Sequence, residues 1–462
     1  MRKQIVVVGA AAAGLTAVET LRAKGYEGGL TLVGDEAHPP YDRPPLSKEL
    51  LRDTWDPGQT WLRPEDVLSA VDAELRLGCR ATGLDTGART VTLSTGEQLP
   101  YDELIIATGL RPRRLPWGDG VRGVHVLRSL DDALRLREEL LRGPRVAVIG
   151  AGFLGSEIAA TAREAGLDVT LIDTNSTPLA LQVGPGVGAG VAALHREHGV
   201  RLVLGAGVAG LAEGPGGVEA VLLADGSRVE ADIVVMAIGS VPAVDWLAGS
   251  GLALGDGVLC DAYCRAAPGV WAAGDVANWP HSTAGGRVRL EQRTNAAQQA
   301  MAVVANLLAG EGAERPYAPV PFGWTHQFGT KIQTIGWCSP DARTEIVSGS
   351  PESGEFVAAY HRDGRLVGAL GWNSARGMRQ CRMSLGRPSA DFVAPASAST
   401  SVPVSGSTSA SAYVPASASA YVPAVAEAPA VTAPASVPAP AVSAPASAPA
   451  PAVSVAPGSA GV

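Results

Sequence analysis

Cysteine is scarce in this sequence, with five residues in 462, and only 18% of the residues are charged. Five cysteines are too few for a disulfide framework, and no pair has metal-ligand spacing. Cys260 and Cys264 lie four apart without a histidine or a second cysteine pair nearby, so we expect structural thiols, no metal site and a reducing compartment. The net charge of −8 argues against nucleic acid as a partner.

Charge and uninterrupted apolar runs are both lacking at the C-terminal end. Residues 389–462 are almost entirely Ala, Pro, Ser and Val, and the unit Ser411–Ala416 recurs at Ser419–Ala424. Proline interrupts every apolar run before it reaches the roughly 18 residues of a membrane anchor. Such a tract buries too little apolar surface to offset its ordering entropy. We therefore predict a disordered tail, no membrane anchor, and a folded body long enough for several domains.

The N-terminus allows two interpretations. A basic start followed by the apolar run Ile5–Val8 could open a secretory signal. The alternative is a strand, a tight turn, a helix over 15–24 and a second strand at 30–33. That unit is a complete βαβ motif, so the sequence favours it and a cytoplasmic protein.

Two glycine-rich turns each follow an apolar strand and open a helix. The first is G-x-A-x-x-G, at Gly9, Ala11 and Gly14, and the second is a full G-x-G-x-x-G, at Gly150, Gly152 and Gly155. The first glycine permits the sharp turn, the middle position admits a pyrophosphate, and the last allows close packing of helix on strand. The helix N-terminus then offers N–H groups to phosphate. The pair predicts two dinucleotide sites.

An acidic residue follows each turn by about 20 positions, where it can accept hydrogen bonds from ribose hydroxyls. These residues are Asp35 and Asp173. An acid at the second site repels a 2′-phosphate, and residues 174–178 contain no Arg or Lys to bind one. We therefore expect NADH in preference to NADPH.

Downstream of each turn an apolar strand ends in glycine and leaves through a proline, over 104–112 and again over 233–242. This repetition indicates an internal duplication of one nucleotide-binding module. A third apolar segment, 270–276, contains Gly274 and Asp275. Taken alone, that aspartate could equally be a turn or a helix cap.

These features together resemble the FAD- and NAD-dependent ferredoxin reductases, the branch of two-dinucleotide flavoproteins that includes the putidaredoxin, rhodocoxin and biphenyl-dioxygenase reductases. The resemblance covers about residues 4–387. The segments that carry it are Ala107–Gly109, Ala273–Asp275, Pro40–Lys48, Gly152–Glu157 and Pro321–Phe328.

The resemblance implies an α/β fold with two Rossmann-like domains, a C-terminal α+β domain and the disordered Ala/Pro/Ser-rich tail. The FAD-binding domain would occupy 1–113 and resume over 244–320, around an NAD-binding domain at 114–243. The α+β domain would span 321–388 and the tail 389–462.

The resemblance also implies site residues. The FAD contacts would be Gly9, Ala13, Gly14, Asp35, Lys48, Ala81, Arg128, Asp275 and Thr294. Lys48 would lie near the flavin ring and pair with Glu157, and Trp324 would sit beside the ring. Three positions depart from the family pattern: Ala11, His326 in place of an acid, and Arg293 in place of an apolar or aromatic residue.

The implied reaction is hydride transfer from NADH to FAD, followed by single-electron delivery to a ferredoxin-type iron–sulfur protein that serves an oxygenase such as a cytochrome P450. No cysteine lies between 34 and 61, which disfavours thiol chemistry at the flavin. Arg376, Arg379 and Arg382 would share a helical face for an acidic ferredoxin, or form a simple solvated face. The alternatives are a reductase or oxidase of small acceptors, and an NADH-responsive flavin-bound interaction protein.

Overall fold

A computed structural model describes residues 3–310 and 312–388. The predicted disordered tail, 389–462, lies outside these described residues. None of the helices within them is long and apolar enough to cross a membrane.

The first module contains a parallel sheet and a smaller antiparallel one. Its strands are β1 (Gln4–Val8), β2 (Gly29–Val33), β3 (Glu74–Arg76), β4 (Ala81–Asp85), β5 (Thr90–Leu93), β6 (Gln98–Pro100), β7 (Glu103–Ile106) and β8 (Leu110–Pro112), and its helices are α1 (Ala12–Ala23) and α2 (Glu65–Ser69). The run Ile5–Val8 is almost fully buried, as expected for a central parallel strand covered on both faces. The predicted βαβ unit is confirmed, because β1 and β2 pair in parallel on either side of α1.

The second module repeats this plan. Its strands are β9 (Val124–Val126), β10 (Arg145–Ile149), β11 (Asp168–Asp173), β12 (Arg201–Leu204), β13 (Val208–Gly214), β14 (Gly217–Leu223), β15 (Arg228–Glu230), β16 (Ile233–Met236) and β17 (Ser240–Pro242), and its helices are α3 (Leu130–Leu140), α4 (Phe153–Glu164) and α5 (Ala180–Glu197). The helix after the second turn begins at Phe153, slightly before the start at Ser156 that the sequence predicts.

The chain then returns to the first sheet and adds a smaller one. This part contains β18 (Leu254–Gly255), β19 (Gly257–Leu259), β20 (Arg265–Ala267), β21 (Val270–Ala272), β22 (Ala277–His281), β23 (Gly286–Arg289) and α6 (Arg293–Leu308). Strand β21 pairs in parallel with β7, so the segment before Asp275 belongs to the first module's sheet.

The two modules have matching strand orders over five strands, and β20 is an additional edge strand of the first sheet. The first sheet runs β20-β21-β7-β1-β2-β3 and the second runs β12-β11-β10-β16-β9, so β1 and β10 occupy equivalent central places. Each module also inserts a three-stranded antiparallel sheet, β4-β5-β6 or β13-β14-β15, just before the strand, β7 or β16, that returns to pair with its central strand. The two proline-marked exits pair with each other, β8 antiparallel to β17. The structure thus bears out the duplication that the sequence predicts.

The C-terminal part is a five-stranded antiparallel sheet with one helix. It contains β24 (Phe322–Gln327), β25 (Thr330–Gly336), β26 (Arg343–Ser350), β27 (Glu355–Arg362), β28 (Arg365–Trp372) and α7 (Ala375–Ser384), with sheet order β24-β25-β28-β27-β26. One face packs on α5 through Tyr360 and Trp372, and the other packs on α7 through Met378 and Cys381. This sheet therefore lies directly against the second module.

Helix α5 contains a kink that the sequence analysis did not predict. Gly184 has a left-handed φ of 78° inside it and Pro185 follows, because proline cannot donate the backbone hydrogen bond of a continuous helix. The hydroxyl of Tyr360 donates to the carbonyl oxygen of Val183 at 2.7 Å, at the kink itself. The first turn of α5 is therefore fixed by the C-terminal sheet.

Candidate functional site

Both glycine turns are too tight for any side chain at their first and last positions. A Cβ on Gly9 would lie 2.1 Å from the carbonyl oxygen of Ala107, and one on Gly150 would lie 2.4 Å from that of Ala237. Their φ angles of +121° and +101° also favour glycine. A Cβ on Gly14 or Gly155 would lie 1.9 Å or 1.8 Å from the carbonyl oxygen of the first glycine of its own turn. These four glycines are therefore required by the fold itself.

Gly152 differs from the others, because the protein does not crowd it. The nearest atom to a Cβ at this position is Nε2 of Gln182, at 3.7 Å. Gly152 is also the N-cap of α4, where no side chain caps the helix, and Ala11, the N-cap of α1, likewise provides no side-chain cap. Neither helix has an acidic residue in its first turn, so both N-termini present free N–H groups and a positive dipole end. That chemistry suits the pyrophosphates of two dinucleotides.

One cavity of about 850 Å³ connects the two turns. The site residues predicted from the sequence that line it are Ala13, Lys48, Arg128, Gly150, Gly152, Glu157, Asp173, Asp275 and Trp324. A continuous cavity bounded by both modules can hold two cofactors next to each other, which is the arrangement that transfer between them needs.

The other predicted residues do not line this cavity. Gly9, Gly14 and Gly155 lie behind its wall in the turns, and Ala81 lies in the first module's core. The Thr294 hydroxyl donates to the carbonyl oxygen of Phe322 at 3.3 Å. Asp35 is exposed, two residues beyond the buried end of β2. The structure therefore does not bring Asp35 and Ala81 to the cavity, whereas Thr294 lies behind its wall, hydrogen-bonded to the lining residue Phe322.

Lys48 and Glu157 form a buried ion pair in the cavity wall. The Lys48 Nζ atom lies 2.6 Å from Glu157 Oε2, and the two side chains are only 7% and 9% exposed. The Lys48 ammonium also donates to the carbonyl oxygen of Pro44, and the Ser47 hydroxyl donates to Glu157 Oε2 at 2.6 Å. A buried pair survives desolvation only when its remaining donors and acceptors find partners, as they do here. The expected pair is present.

Asp275 and Arg128 are two cavity-lining groups with shifted pKa values. Burial raises the pKa of Asp275 to about 6, although the nearby Arg128 cation opposes this shift. Burial, together with repulsion from Arg43, lowers the pKa of Arg128 to about 10. Buried charged groups with shifted pKa values are characteristic of a ligand site, where the ligand supplies the hydrogen-bonding partners that the protein does not.

Arg43 was not among the predicted site residues, although it lies inside the 40–48 segment. Its guanidinium donates to Glu36 Oε1 at 2.8 Å and to the carbonyl oxygen of Arg128 at 2.5 Å, and it lines the cavity. Glu36 also accepts a hydrogen bond from the buried Tyr41 hydroxyl. At the end of β2 it is therefore Glu36 that turns inward, while Asp35 stays outside.

Gln292 is a second residue that the sequence analysis missed. Its side chain is buried, it lines the cavity, and neither its amide oxygen nor its amide nitrogen has a hydrogen-bond partner among the described residues. A buried amide is costly to leave unpaired, so this one fits a ligand with both a donor and an acceptor. The edge of a flavin ring offers both. No sequence pattern marks such a residue, because its significance lies in the absence of protein partners within the described ranges.

The structure accounts for one of the family departures. Arg293 lines the cavity and forms an ion pair with Asp42, which joins the start of α6 to the 40–48 segment. His326 is exposed on β24, and partial burial together with the Lys331 and Lys48 cations lowers its pKa. The Arg293 charge is thus compensated, whereas His326 leaves this surface without the family's acid.

Asp173 holds the second turn as well as lining the cavity. Its Oδ2 accepts from the Ala151 backbone N–H at 2.5 Å, and its Oδ1 accepts from both the backbone and the side chain of Asn175. A carboxylate has about four acceptor positions, so one remains for a ribose hydroxyl. No Arg or Lys lines this end of the cavity over 174–182.

Comparison with known proteins agrees with this geometry. Residues 3–300 match the pyridine nucleotide-disulphide oxidoreductase family, and residues 322–402 match the reductase C-terminal family. Rhodocoxin reductase of Rhodococcus erythropolis is 37% identical, over 80% of this chain and 87% of that protein. The chain belongs to the ferredoxin reductases of the pyridine nucleotide-disulphide oxidoreductase family.

Two further relatives extend the match. The ferredoxin–NAD(+) reductase component of the biphenyl dioxygenase system of Paraburkholderia xenovorans is 36% identical, over 80% of this chain and 90% of that protein. The crystal structure of the covalent putidaredoxin reductase–putidaredoxin complex superposes with a TM-score of 0.78 at 32% identity, covering 82% of this chain and 92% of that one. The resemblance predicted from the sequence is therefore confirmed, and this ferredoxin reductase shares the architecture of its relatives across its described residues.

Proposed function

We propose that this protein is an NADH-dependent ferredoxin reductase that carries FAD and delivers single electrons to a ferredoxin serving an oxygenase. One observation supports this function best: a continuous cavity connects both nucleotide turns and contains the buried Lys48–Glu157 pair. FAD would occupy the side bounded by the N-terminus of α1, with Asp275, Arg128 and Gln292 as polar partners. NADH would occupy the side bounded by Gly152 and Asp173.

FAD, when bound, would supply the hydride-accepting and single-electron chemistry that no side chain can supply. The protein contributes orientation and charge. The free N–H groups of α1 and α4 would hold the phosphates, and the cavity wall would limit the access of water to the space between the cofactors. Lys48, kept in place by Glu157 and Pro44, places a positive charge in the cavity wall, where it would favour the reduced and more anionic flavin.

The cysteines of this chain do not suit an internal disulfide as electron acceptor, despite the family's name. All five, Cys79, Cys260, Cys264, Cys338 and Cys381, are free, and none of them lines the cavity. Burial raises the pKa of Cys260 to about 12 and that of Cys381 to about 12, so both thiols are poor nucleophiles. The electrons therefore leave for an external acceptor.

One face of the C-terminal sheet suits an acidic ferredoxin. Cross-strand pairs place Trp324 opposite Gln333 and His326 opposite Lys331, on the face that also carries α7. Because Trp324 lines the cavity, this face extends from the cofactor site to the helix.

Helix α7 brings the predicted arginines to this face. It begins just after Asn373, whose backbone N–H donates to the carbonyl oxygen of Lys331 at 2.8 Å. Arg376 and Arg379 are exposed on the helix, and Arg382 is half-buried. These cations, with Lys331, would steer a negatively charged partner to the edge of the cavity.

The test compares two acceptors of the purified yellow protein. NADH-driven reduction of a panel of ferredoxins, putidaredoxin among them, is followed through cytochrome c, and ferricyanide reduction is measured in parallel. We expect ferredoxin turnover to fall with added salt and in Arg376→Ala/Arg379→Ala, while ferricyanide turnover barely changes. The exposed Arg142→Ala, on the second module, is the control. Equal salt sensitivity of both reactions would refute the docking face, and no acceleration by any ferredoxin would refute this function.

The cytoplasm is the location that we propose. The five free thiols support a reducing compartment, because an oxidising one favours disulfides in proteins.

A further inference from the structure

A chain of buried hydrogen bonds leads away from the Lys48–Glu157 pair, through the C-terminal sheet, to helix α5. Glu157 Oε1 accepts from the Thr325 hydroxyl at 2.8 Å, and the Thr325 hydroxyl oxygen accepts from Gln327 Nε2 at 3.1 Å. Gln327 Oε1 lies 2.9 Å from His195 Nε2. Thr325, Gln327 and His195 are fully buried. The chain therefore joins all three folded parts of the protein at the cavity wall.

The donors in this chain all point toward Glu157. The amide nitrogen of Gln327 donates to Thr325, so its amide oxygen faces His195, and this oxygen can only accept. His195 must then carry its proton on Nε2, and its Nδ1 has no partner among the described residues. Burial lowers the pKa of His195 to about 4, so the ring is neutral at pH 7. Each donor thus determines the direction of the next.

The two oxygens of the Glu157 carboxylate have different donors. Lys48 and Ser47 both bind Oε2, whereas Oε1 accepts from the Thr325 hydroxyl. That hydroxyl can rotate, and it points at Glu157 because Gln327 occupies its acceptor side. A buried carboxylate oxygen that loses its donor is costly, and the side chain then moves toward the donors that remain.

We propose that Gln327 and His195 are positioning residues that, through Thr325, set the orientation and effective charge of Glu157 and thereby the place of Lys48 beside the flavin. The proposal rests on the proposed FAD site. Donors to Glu157 partly offset its negative charge in the cavity wall. Without them a stronger negative field faces the flavin, which disfavours the reduced and more anionic form.

Matched variants of the residues in and near this hydrogen-bond chain separate the positioning role from simple packing. Thr325→Val removes the hydroxyl at almost constant volume, and Thr325→Ser keeps it. Thr334→Val is the control, because Thr334 is buried on the same sheet and its hydroxyl has no partner among the described residues. His195→Leu removes the terminal donor, whereas the amide of His195→Gln can still donate to Gln327.

The experiment measures the midpoint potential of bound FAD against a reference dye and the rate of flavin reduction by NADH in stopped flow. We expect Thr325→Val and His195→Leu to shift the potential to more negative values and to slow reduction by roughly threefold to tenfold, the range that one lost hydrogen bond gives. Thr325→Ser, His195→Gln and Thr334→Val should stay close to the wild type.

Two results distinguish a failure of the positioning role from a failure of the proposed function. Wild-type potentials in Thr325→Val and His195→Leu, even with lower melting temperatures, would overturn the positioning role and leave only packing. A wild-type protein that NADH does not reduce would refute the proposed function instead. The midpoint potentials of bound FAD, measured with a chemical reductant, would still decide whether the hydrogen-bond chain has a positioning role.

Discussion

Replacing Asp275 with Asn separates the stability of this protein from its affinity for the flavin. Asp275 lies just after β21, it lines the cavity, and burial raises its pKa from 3.8 to about 6. Ionising this carboxyl therefore costs the folded protein free energy. The neutral amide in the Asp275→Asn variant would resemble the protonated carboxyl and would avoid that cost.

The size of the change in unfolding free energy follows from the shift in the pKa of Asp275. A pKa raised by about two units corresponds to about 3 kcal/mol of unfolding free energy. This stability is present below pH 3.8, is lost progressively as the pH rises through 6, and is absent above about pH 7. The flavin-free Asp275→Asn variant should therefore exceed the wild type by about 1 kcal/mol near pH 4.5 and by about 3 kcal/mol at pH 8.

The affinity for FAD should change in the opposite direction. A carboxylate that hydrogen-bonds a ligand contributes roughly 1.5–3 kcal/mol, so FAD should bind at least about tenfold more weakly to the variant. Urea unfolding of flavin-free protein between pH 4.5 and 8 measures the first effect, and the fluorescence of released FAD measures the second.

A second aspartate is the control for this prediction. Asp225 is exposed, and its hydrogen bonds from Ser227 lower its pKa, so Asp225→Asn should not stabilise the protein at any pH. A stability difference for Asp275→Asn that does not grow with pH would refute the assigned burial cost. Unchanged FAD affinity would refute the role of Asp275 in binding the flavin.

Three other substitutions test separate parts of the site. Lys48→Ala should slow flavin reduction by NADH at least about tenfold, because it removes the cavity-wall cation, and an unchanged stopped-flow rate would contradict that role. Asp173→Ala should lower the preference for NADH over NADPH about tenfold and raise the KM for NADH, since the carboxylate also holds the Ala151 N–H; unchanged ratios of kcat/KM would count against it. Tyr360→Phe should lower the unfolding free energy by about 1 kcal/mol, because it removes the hydrogen bond to the carbonyl oxygen of Val183 at the kink. Since the start of α5 lines the cavity, the variant should also change KM by a larger factor than kcat, with KM rising. Equal fold-changes in KM and kcat would exclude an effect of Tyr360 on substrate binding.

The regular parts of the fold were predictable because their signals are local. The strand before each glycine turn, the helix after it and the duplicated exits all follow from apolar periodicity and from the backbone needs of glycine and proline. Gly9 and Gly150 show why, since each must turn sharply against the carbonyl of a neighbouring strand. The kink at Gly184 was not predictable in the same way, because its partner Tyr360 is far away in the sequence.

The site was predictable where the glycine-turn motif or the family pattern marks a residue. Lys48, Glu157 and Asp275 lie at the cavity, as the resemblance implied. Asp35 follows the same pattern but is exposed, while its neighbour Glu36 turns inward toward Arg43. Adjacent carboxylates at a strand end point in different directions, and packing selects between them.

The sequence by itself determined the two nucleotide-binding modules and predicted the preference for NADH. Those properties depend on backbone geometry within one turn, on charge at Asp173, and on the absence of cations after it. The tertiary structure alone decided which polar groups are buried without partners in the described ranges and which are joined. Gln292 and the path from His195 to Glu157 depend on contacts between segments far apart in the chain, and no local pattern encodes where such segments meet.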